Sequence, residues 1–327
     1  MISIITGGAG FIGSHLAEYL VKERHKVYII DNFSNGQLRN LKHIKNKIKI
    51  VKADISLYQD KWSKIFQKAD FVFHLAALAD IVPSIEEPRE YFNSNVVGTF
   101  NVLEACRQNK KIRFLYAASS SCYGVPKNYP TEENTKIDCK YPYALTKYLG
   151  EELVMHWCKI YQLKAFSVRL FNIYGTRSRT NGTYGAVFGV FLAQKLKGIP
   201  FTVVGNGNQT RDFTYVSDVI YAMIKVIKSK YYGEIFNIGS NKSISVNKIV
   251  KLLKGEKTYI PKRPGEPDKT FASTKKIKKY LNWKPKIDIN MGVKQLLLNI
   301  EYWKKAPVWT PAKIKKATKT WFKNLSD

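Results

Sequence analysis

The chain has 327 residues, 45% of them hydrophobic and 24% charged, which is enough to bury one large core or two smaller ones and rules out a linker or low-complexity polymer. Its formal net charge of +29, from 54 Lys+Arg against 25 Asp+Glu, admits an anionic partner such as nucleic acid, a membrane surface or a phosphorylated substrate. Lysine outnumbers arginine and is spread through nearly every surface-helix pattern, as in "LKHIKNKIKIVK" and "STKKIKKYLNWKPK", so the excess reads as solvated surface and no nucleic-acid partner is expected.

The opening "MISIITGGAG" passes from a strand pattern straight into a glycine loop, with no basic n-region, long apolar stretch or cleavage site. No apolar stretch approaches the ~20 residues of a membrane-spanning helix. A cytoplasmic protein without stable membrane insertion is expected. The four cysteines, Cys106, Cys122, Cys139 and Cys158, show neither CxxC pairing nor His partners, which predicts reduced thiols and no metal site.

In chain order the patterns read "ISIIT" as a strand, a helix from about Phe11 to Lys22, then "KVYII", "IKIVKA" and "FVFHLAA" as strands. A helix through "YFNSNVVGTFNVLEACRQ", the strand "IRFLYAAS", the long helix "YALTKYLGEELVMHWCKIY" and the strand "AFSVRLFNIYG" follow. Such alternation predicts an α/β fold, a Rossmann-type doubly wound parallel sheet covered on both faces, over residues 1–172 with a few later segments returning to it. The short patterns "FTVVG", "RDFTYVSDV", "EIFNIGS" and "TYIPKRPGEP" predict a smaller α+β substrate-binding lobe over 173–327, ending in a helical tail. Open α/β sheets bind their ligands at the carboxyl edge of the strands.

In "TGGAGFIGSHL" the glycines Gly7, Gly10 and Gly13 stand between the first strand and first helix, where a tight turn and close approach to a pyrophosphate leave no room for side chains. Asp31 at the end of "KVYII" is placed to accept hydrogen bonds from a ribose diol, and its charge favours NAD over NADP. In "YPYALTKYLGEE" Tyr143 and Lys147 share one helix face. A neighbouring ammonium favours the phenolate and brings a tyrosine towards use as a base.

With these motifs together the chain resembles the extended short-chain dehydrogenase/reductases, in particular the nucleotide-sugar epimerase/dehydratase family typified by UDP-glucose 4-epimerase. The landmarks are "TGGAGFIGSHL", "DNFSNG", "ADI", "HLAA", "NVVGTFNVLEA", "SSSCYG", "YPYALTKYLGE", "RLFNIYG", "GNGNQTRDFTYVSDV", "FNIGS" and "KRPGEP". The resemblance implies a catalytic triad of Ser119, Tyr143 and Lys147. It further implies that Gly7, Gly10, Phe11, Ile12 and Gly13 cradle the pyrophosphate of NAD and that Asp31, Asn32, Asn35 and Gly36 hold the adenosine ribose. Asp54 and Ile55 would flank adenine, and Leu75, Ala76, Ala77 and Asn95 would line the rest of the channel. Ser119, Ser120, Asn172, Arg211, Arg263 and Thr270 would meet the nucleotide sugar, the arginines by gripping phosphate in a bidentate way. Family members usually dimerise through the helix carrying Tyr143 and the one from about Pro88 to Gln108.

The family's 4,6-dehydratases carry an Asp-Glu pair where this chain has Ser120 and Ser121. A dehydratase must remove the C5 proton and protonate the departing C6 hydroxyl. Two serines cannot readily do so, and a 4-epimerase has no such need. The expectation is therefore a UDP-linked nucleotide-sugar 4-epimerase, with a 4,6-dehydratase as alternative. Two departures from the pattern are Cys122, a small apolar residue or a weak acid, and the segment "TRSRTNGTYGAVFGVFLAQKLKG" after the "NIYG" turn. Thr270 stands where members that exclude N-acetyl groups carry tyrosine, which leaves room for a 2-acetamido sugar. A non-catalytic RNA-binding member would show an eroded glycine loop or YxxxK motif, and both are intact. In the tail, Ile314, Ala317, Trp321 and Leu325 form one helical stripe, expected to pack on its own subunit rather than on an anionic membrane.

Overall fold

The computed structural model describes residues 1–178 and 187–325. The strands are β1 (Ile2–Thr6), β2 (Lys26–Asp31), β3 (Ile48–Lys52), β4 (Phe71–His74), β5 (Arg113–Ser119), β6 (Lys164–Leu170), β7 (Asn172–Tyr174), β8 (Phe201–Val204), β9 (Thr210–Arg211), β10 (Phe213–Tyr215), β11 (Ile235–Ile238), β12 (Ile244–Ser245) and β13 (Lys257–Ile260). The α-helices between and after them are α1 (Phe11–Lys22), α2 (Asp60–Ser63), α3 (Ile81–Glu86), α4 (Pro88–Phe92), α5 (Gly98–Arg107), α6 (Pro142–Tyr161) and α7 (Val187–Leu196). Then come α8 (Val216–Lys228), α9 (Val246–Leu253), α10 (Lys275–Leu281), α11 (Ile289–Leu298), α12 (Pro311–Ala317) and α13 (Lys319–Leu325).

Seven strands form one sheet in the order β11-β6-β5-β4-β1-β2-β3, and every neighbouring pair is parallel. Parallel pairing forces each connection across a face, and the central strands answer with unbroken burial: all four residues of β4 and six of seven in β5 are inside. One apolar cluster joins α1 and α8 to one face, and a second joins α5 and α6 to the other. The chain leaves β1 in one direction and returns at β4 in the other, so the crevice above these adjacent strands is the ligand-binding point of the sheet. The remaining strands make three two-stranded pieces, β10-β7, β12-β9 and β13-β8, packed with α7, α9 and α11 around a third cluster that contains Phe191, Phe201, Ile249 and Trp303.

Two predicted helices differ in detail. The one expected from Pro88 to Gln108 runs unbroken, but a π-turn at Asn93–Val97 separates α4 from α5. The tail stripe is split into α12 and α13, because Thr318 caps the first by turning its hydroxyl to the Ile314 carbonyl, 2.9 Å away. Ile314 and Trp321 are buried against their own chain, as expected. Among the described residues no helix is long and apolar enough to cross a membrane.

Candidate active site

β1 delivers the chain to Gly7 in the left-handed region at φ +70°, and a Cβ there would stand 2.7 Å from the Ala76 nitrogen at the end of β4. A Cβ on Gly13 would stand 2.3 Å from the Gly7 carbonyl, so the first turn of α1 can close on the loop only without a side chain. The open amide end of α1 therefore faces a cavity of about 480 Å³. Gly7, Gly10, Phe11, Ile12 and Gly13 line its floor, Asp31, Asn32, Asn35, Gly36, Asp54 and Ile55 one end, and Leu75, Ala76 and Ala77 its flank. The Asp31 carboxylate accepts backbone N–H bonds from Ala9 at 2.9 Å and Phe33 at 2.8 Å, which fix it; burial nonetheless raises its pKa. Asp54 is held ionised, below the usual range, by the hydroxyl and amide of Ser56 and by Asn32. A cradle that side chains would fill, with a fixed acid at the far end, has the shape and donors a dinucleotide requires.

At the other end of the same cavity stand Ser119, Tyr143 and Lys147. Ser119 ends β5, where its Oγ accepts the Ser121 amide at 3.2 Å and its hydroxyl lies beside the Tyr143 phenol, pulling that phenol's pKa down. α6 begins with Pro142 in its first turn, so Tyr143 projects at the mouth and Lys147 one turn deeper. The Tyr143 ring stacks on Tyr141 at 6.4 Å and meets Tyr91 edge-on at 6.5 Å. Lys147 is 4% exposed, with its ammonium 4.1 Å above the Tyr116 ring, and the Tyr116 hydroxyl donates to the Lys147 carbonyl at 3.2 Å.

The electrostatics depart from the simple expectation of a phenolate made by its neighbour. Burial raises the Tyr143 pKa against the pull of the Ser119 hydroxyl, and the carboxylate of Asp80, also on the cavity wall, pushes the same way as burial. Burial brings Lys147 down to about 7, opposed by Glu151 one turn further along α6. Glu151 is itself locked, accepting from Ser167 at 2.6 Å and pairing with Arg169 at 2.6 Å; both ends of the pair are nearly inaccessible. His74 bridges Thr6 and Thr99 and is kept neutral, at about 3, by burial and by Lys147. Cys122 is buried and pushed up to about 12, so it is a thiol and not an acid at neutral pH.

The expected substrate residues fall into separate places. Arg211 lines a second hollow of about 390 Å³ with Gln209, Lys262, Glu266 and Asp268. Glu266 pairs with Arg211 at 2.8 Å and with Arg263 at 3.6 Å. Thr270 donates to Asn172 at 2.8 Å and accepts the Asp212 amide at 2.9 Å, so its hydroxyl is a fixed strut, and neither Thr270 nor Asn172 belongs to the wall of either hollow. Ser120 and Asn95 also lie off the cavity wall. Asn95, at 1% exposure, holds the Leu78 backbone in both directions and accepts no ligand-facing position; its amide reaches Thr146 at 3.1 Å. Residues 179–186 of the segment flagged after "NIYG" lie outside the described residues.

Sequence reading missed Glu266, although it stands inside "KRPGEP", and Tyr116, whose signal is the glycine at 150: a Cβ there would strike the Tyr116 hydroxyl at 2.2 Å. It also missed Asp80 and the tail residues Tyr302, Ala306, Pro307 and Trp309, all on the cavity wall.

Fold and site together define a dinucleotide-dependent enzyme of the short-chain dehydrogenase/reductase type, and the comparisons with known proteins agree. The model of the GDP-mannose 4,6 dehydratase family matches residues 4–296, and the chain belongs to the nucleotide-sugar epimerase/dehydratase family of extended short-chain dehydrogenase/reductases. It is 34% identical to the UDP-N-acetyl-alpha-D-glucosaminuronate decarboxylase of Bacillus cytotoxicus, over 90% of this chain and 96% of that one. The UDP-glucuronic acid 4-epimerase of Bacillus cereus, solved with UDP-glucuronic acid and NAD, is 31% identical, with a TM-score of 0.84 over 93% of this chain and 99% of that one. The UDP-N-acetylglucosamine 4-epimerase of Methanobrevibacter ruminantium M1, solved with UDP-N-acetylmuramic acid, is 31% identical, with a TM-score of 0.84 over 91% of this chain and 98% of that one.

Proposed function

We propose that this protein is an NAD-dependent nucleotide-sugar 4-epimerase acting on a UDP-linked hexose or hexose derivative. The observation that carries the reading is the Ser119–Tyr143 hydroxyl pair, with Lys147 beneath it, in the same cavity as the glycine cradle. Gly7 to Gly13 would hold the pyrophosphate, Asp31 the adenosine ribose and Lys147 the nicotinamide ribose. When bound, the dinucleotide supplies a hydride acceptor on a positively charged ring, and that charge also favours the Tyr143 phenolate.

Ser119 hydrogen-bonds the sugar's O4, and Tyr143 takes the O4 proton as hydride leaves C4. The 4-keto sugar would then turn over, and Tyr143 would return the proton to O4 as C4 regains its hydride on the opposite face. Arg211 and Arg263, already gathered by Glu266, hold the diphosphate during that rotation. In this reading residues 1–172, with β11 and α8 returning to them, serve the cofactor, and 173–327 serve mainly the substrate.

A 4,6-dehydratase is disfavoured because Ser120 and Ser121 lack ionisable groups and Cys122 holds its proton too tightly. A uronate decarboxylase is the second reading, favoured by the Bacillus cytotoxicus relative. Purified protein incubated with UDP-glucose, UDP-N-acetylglucosamine and UDP-glucuronate, with products resolved by NMR, decides among them. The C4 epimer is expected; released CO₂ with a pentose product, or a stable 4-keto-6-deoxy sugar, would overturn the reading.

Phe92, Phe100, Leu145 and Ile160 are exposed on α4, α5 and α6, which supports a homodimer across these helices. Light scattering on a purified sample would measure it. A cytoplasmic location and the lack of a nucleic-acid partner complete the proposal.

A further inference from the structure

The family match ends at residue 296, and the chain continues past it along the wall of the cavity. Tyr302 makes the first attachment: its hydroxyl donates to Asn40 at 2.7 Å, and Asn40 in turn donates to the Ala9 carbonyl of the glycine loop at 2.9 Å. The Arg39 guanidinium lies 4.1 Å from the Tyr302 ring centre. The chain then gives Ala306, Pro307 and Trp309 to the cavity wall, and Gln194 of α7 donates to the Trp309 carbonyl at 2.7 Å. The last attachment is at the loop that carries Arg263. Trp321, 4% exposed, donates from Nε1 to the Pro264 carbonyl at 2.8 Å, and its ring lies 5.3 Å from the Arg263 guanidinium. Thr320 ties the same helix to Glu86 of α3 at 2.8 Å.

We propose that residues 299–325 are a strap that closes the substrate cleft, and that Trp321 in it is a positioning residue for Arg263. The proposal rests on the nucleotide-sugar reading of the cleft. Arg263 lies between the indole and Glu266, so both a π-face and a carboxylate limit its rotamers before a diphosphate arrives. The Nε1 bond fixes the backbone next to Arg263, so the strap sets the position of the guanidinium as well as its orientation. The strap is thus tied at Asn40 on the cavity wall and again at Pro264, beside Arg263.

Trp321→Ala should raise KM for the nucleotide sugar, and the calorimetric Kd for UDP, by about tenfold, with kcat within about threefold of wild type. Bound NAD in the purified variant should be unchanged, because Tyr302 is intact. A Kd for UDP within about twofold of an active wild type would overturn the positioning role and leave the epimerase reading standing. A wild type that neither binds UDP nor converts any nucleotide sugar would overturn the reading beneath both. Should Trp321→Ala fail to fold, Thr320→Ala with Trp321→Phe removes both hydrogen bonds and keeps the ring. A rise of about threefold or more in Kd is then expected, and no rise counts against the strap.

Discussion

Lys147→Met should silence the enzyme and stabilise its cofactor-free form. Burial brings this ammonium from 10.5 down to about 7, whereas in an unfolded chain it titrates near ~10.4. Between those values the folded state binds fewer protons than the unfolded one, so stability rises with pH across the window. The full cost of the buried charge is present below about 7 and is gone above the unfolded value. At ~1.36 kcal/mol per unit, the cost at pH 7 has a ceiling of roughly 4 kcal/mol. The cation–π contact with Tyr116, 4.1 Å from the ring centre, offsets about 1–2 kcal/mol of it. The net gain for Lys147→Met at pH 7 is then roughly 2 kcal/mol, or about 3 °C in Tm for a chain of this length. The assay is thermal melting of NAD-stripped wild type and variant from pH 6.5 to 10, read as the difference between the two curves. A variant that melts below wild type at pH 7, or a gap that does not narrow as pH rises, would refute the reasoning.

Three further outcomes are expected. Tyr143→Phe keeps the rings of Tyr91 and Tyr141 packed and removes only the phenol, so turnover should fall by about 10²–10⁴ with bound NAD and melting temperature little changed. Gly13→Ala sets a Cβ 2.3 Å from the Gly7 carbonyl; it should cost about 1–3 kcal/mol and leave the protein purified largely without nucleotide, as chromatography of the released cofactor would report. Glu151→Ala strands the buried Arg169 and should destabilise the protein by about 3–5 kcal/mol, measured by urea unfolding.

The alternation of strand and helix made the parallel sheet legible, because a strand buried on both faces is apolar throughout and a glycine loop between strand and helix has one main use. Gly7, Asp31, Ser119, Tyr143 and Lys147 were legible for a related reason: each sits at a fixed offset from a strand end or on one helix face. Local spacing could not convey how Asn95, Thr270 and Ser120 would be used. The Asn95 amide and the Thr270 hydroxyl met partners from distant segments, which tertiary packing settles, and Ser120 lies off the cavity wall. The direction of the Tyr143 pKa was also beyond sequence, since it depends on how deeply the pocket desolvates the phenol and on Asp80 reaching it from another loop. The tail read correctly as packing on its own chain, but an amphipathic stripe says nothing of which surface it will cover.

The π-turn at Asn93–Val97 lets a single helix face two ways. One additional residue per turn advances the helical phase by about 100°. Upstream of it Tyr91 supports the loop that carries Asp80, and downstream Phe100 packs against Trp157. Loss of one residue there would restore a regular coil and swing the catalytic side of the helix out of line with its outer seam. The number of residues in that turn is therefore held as firmly as Asn95 within it, whose amide grips the Leu78 backbone.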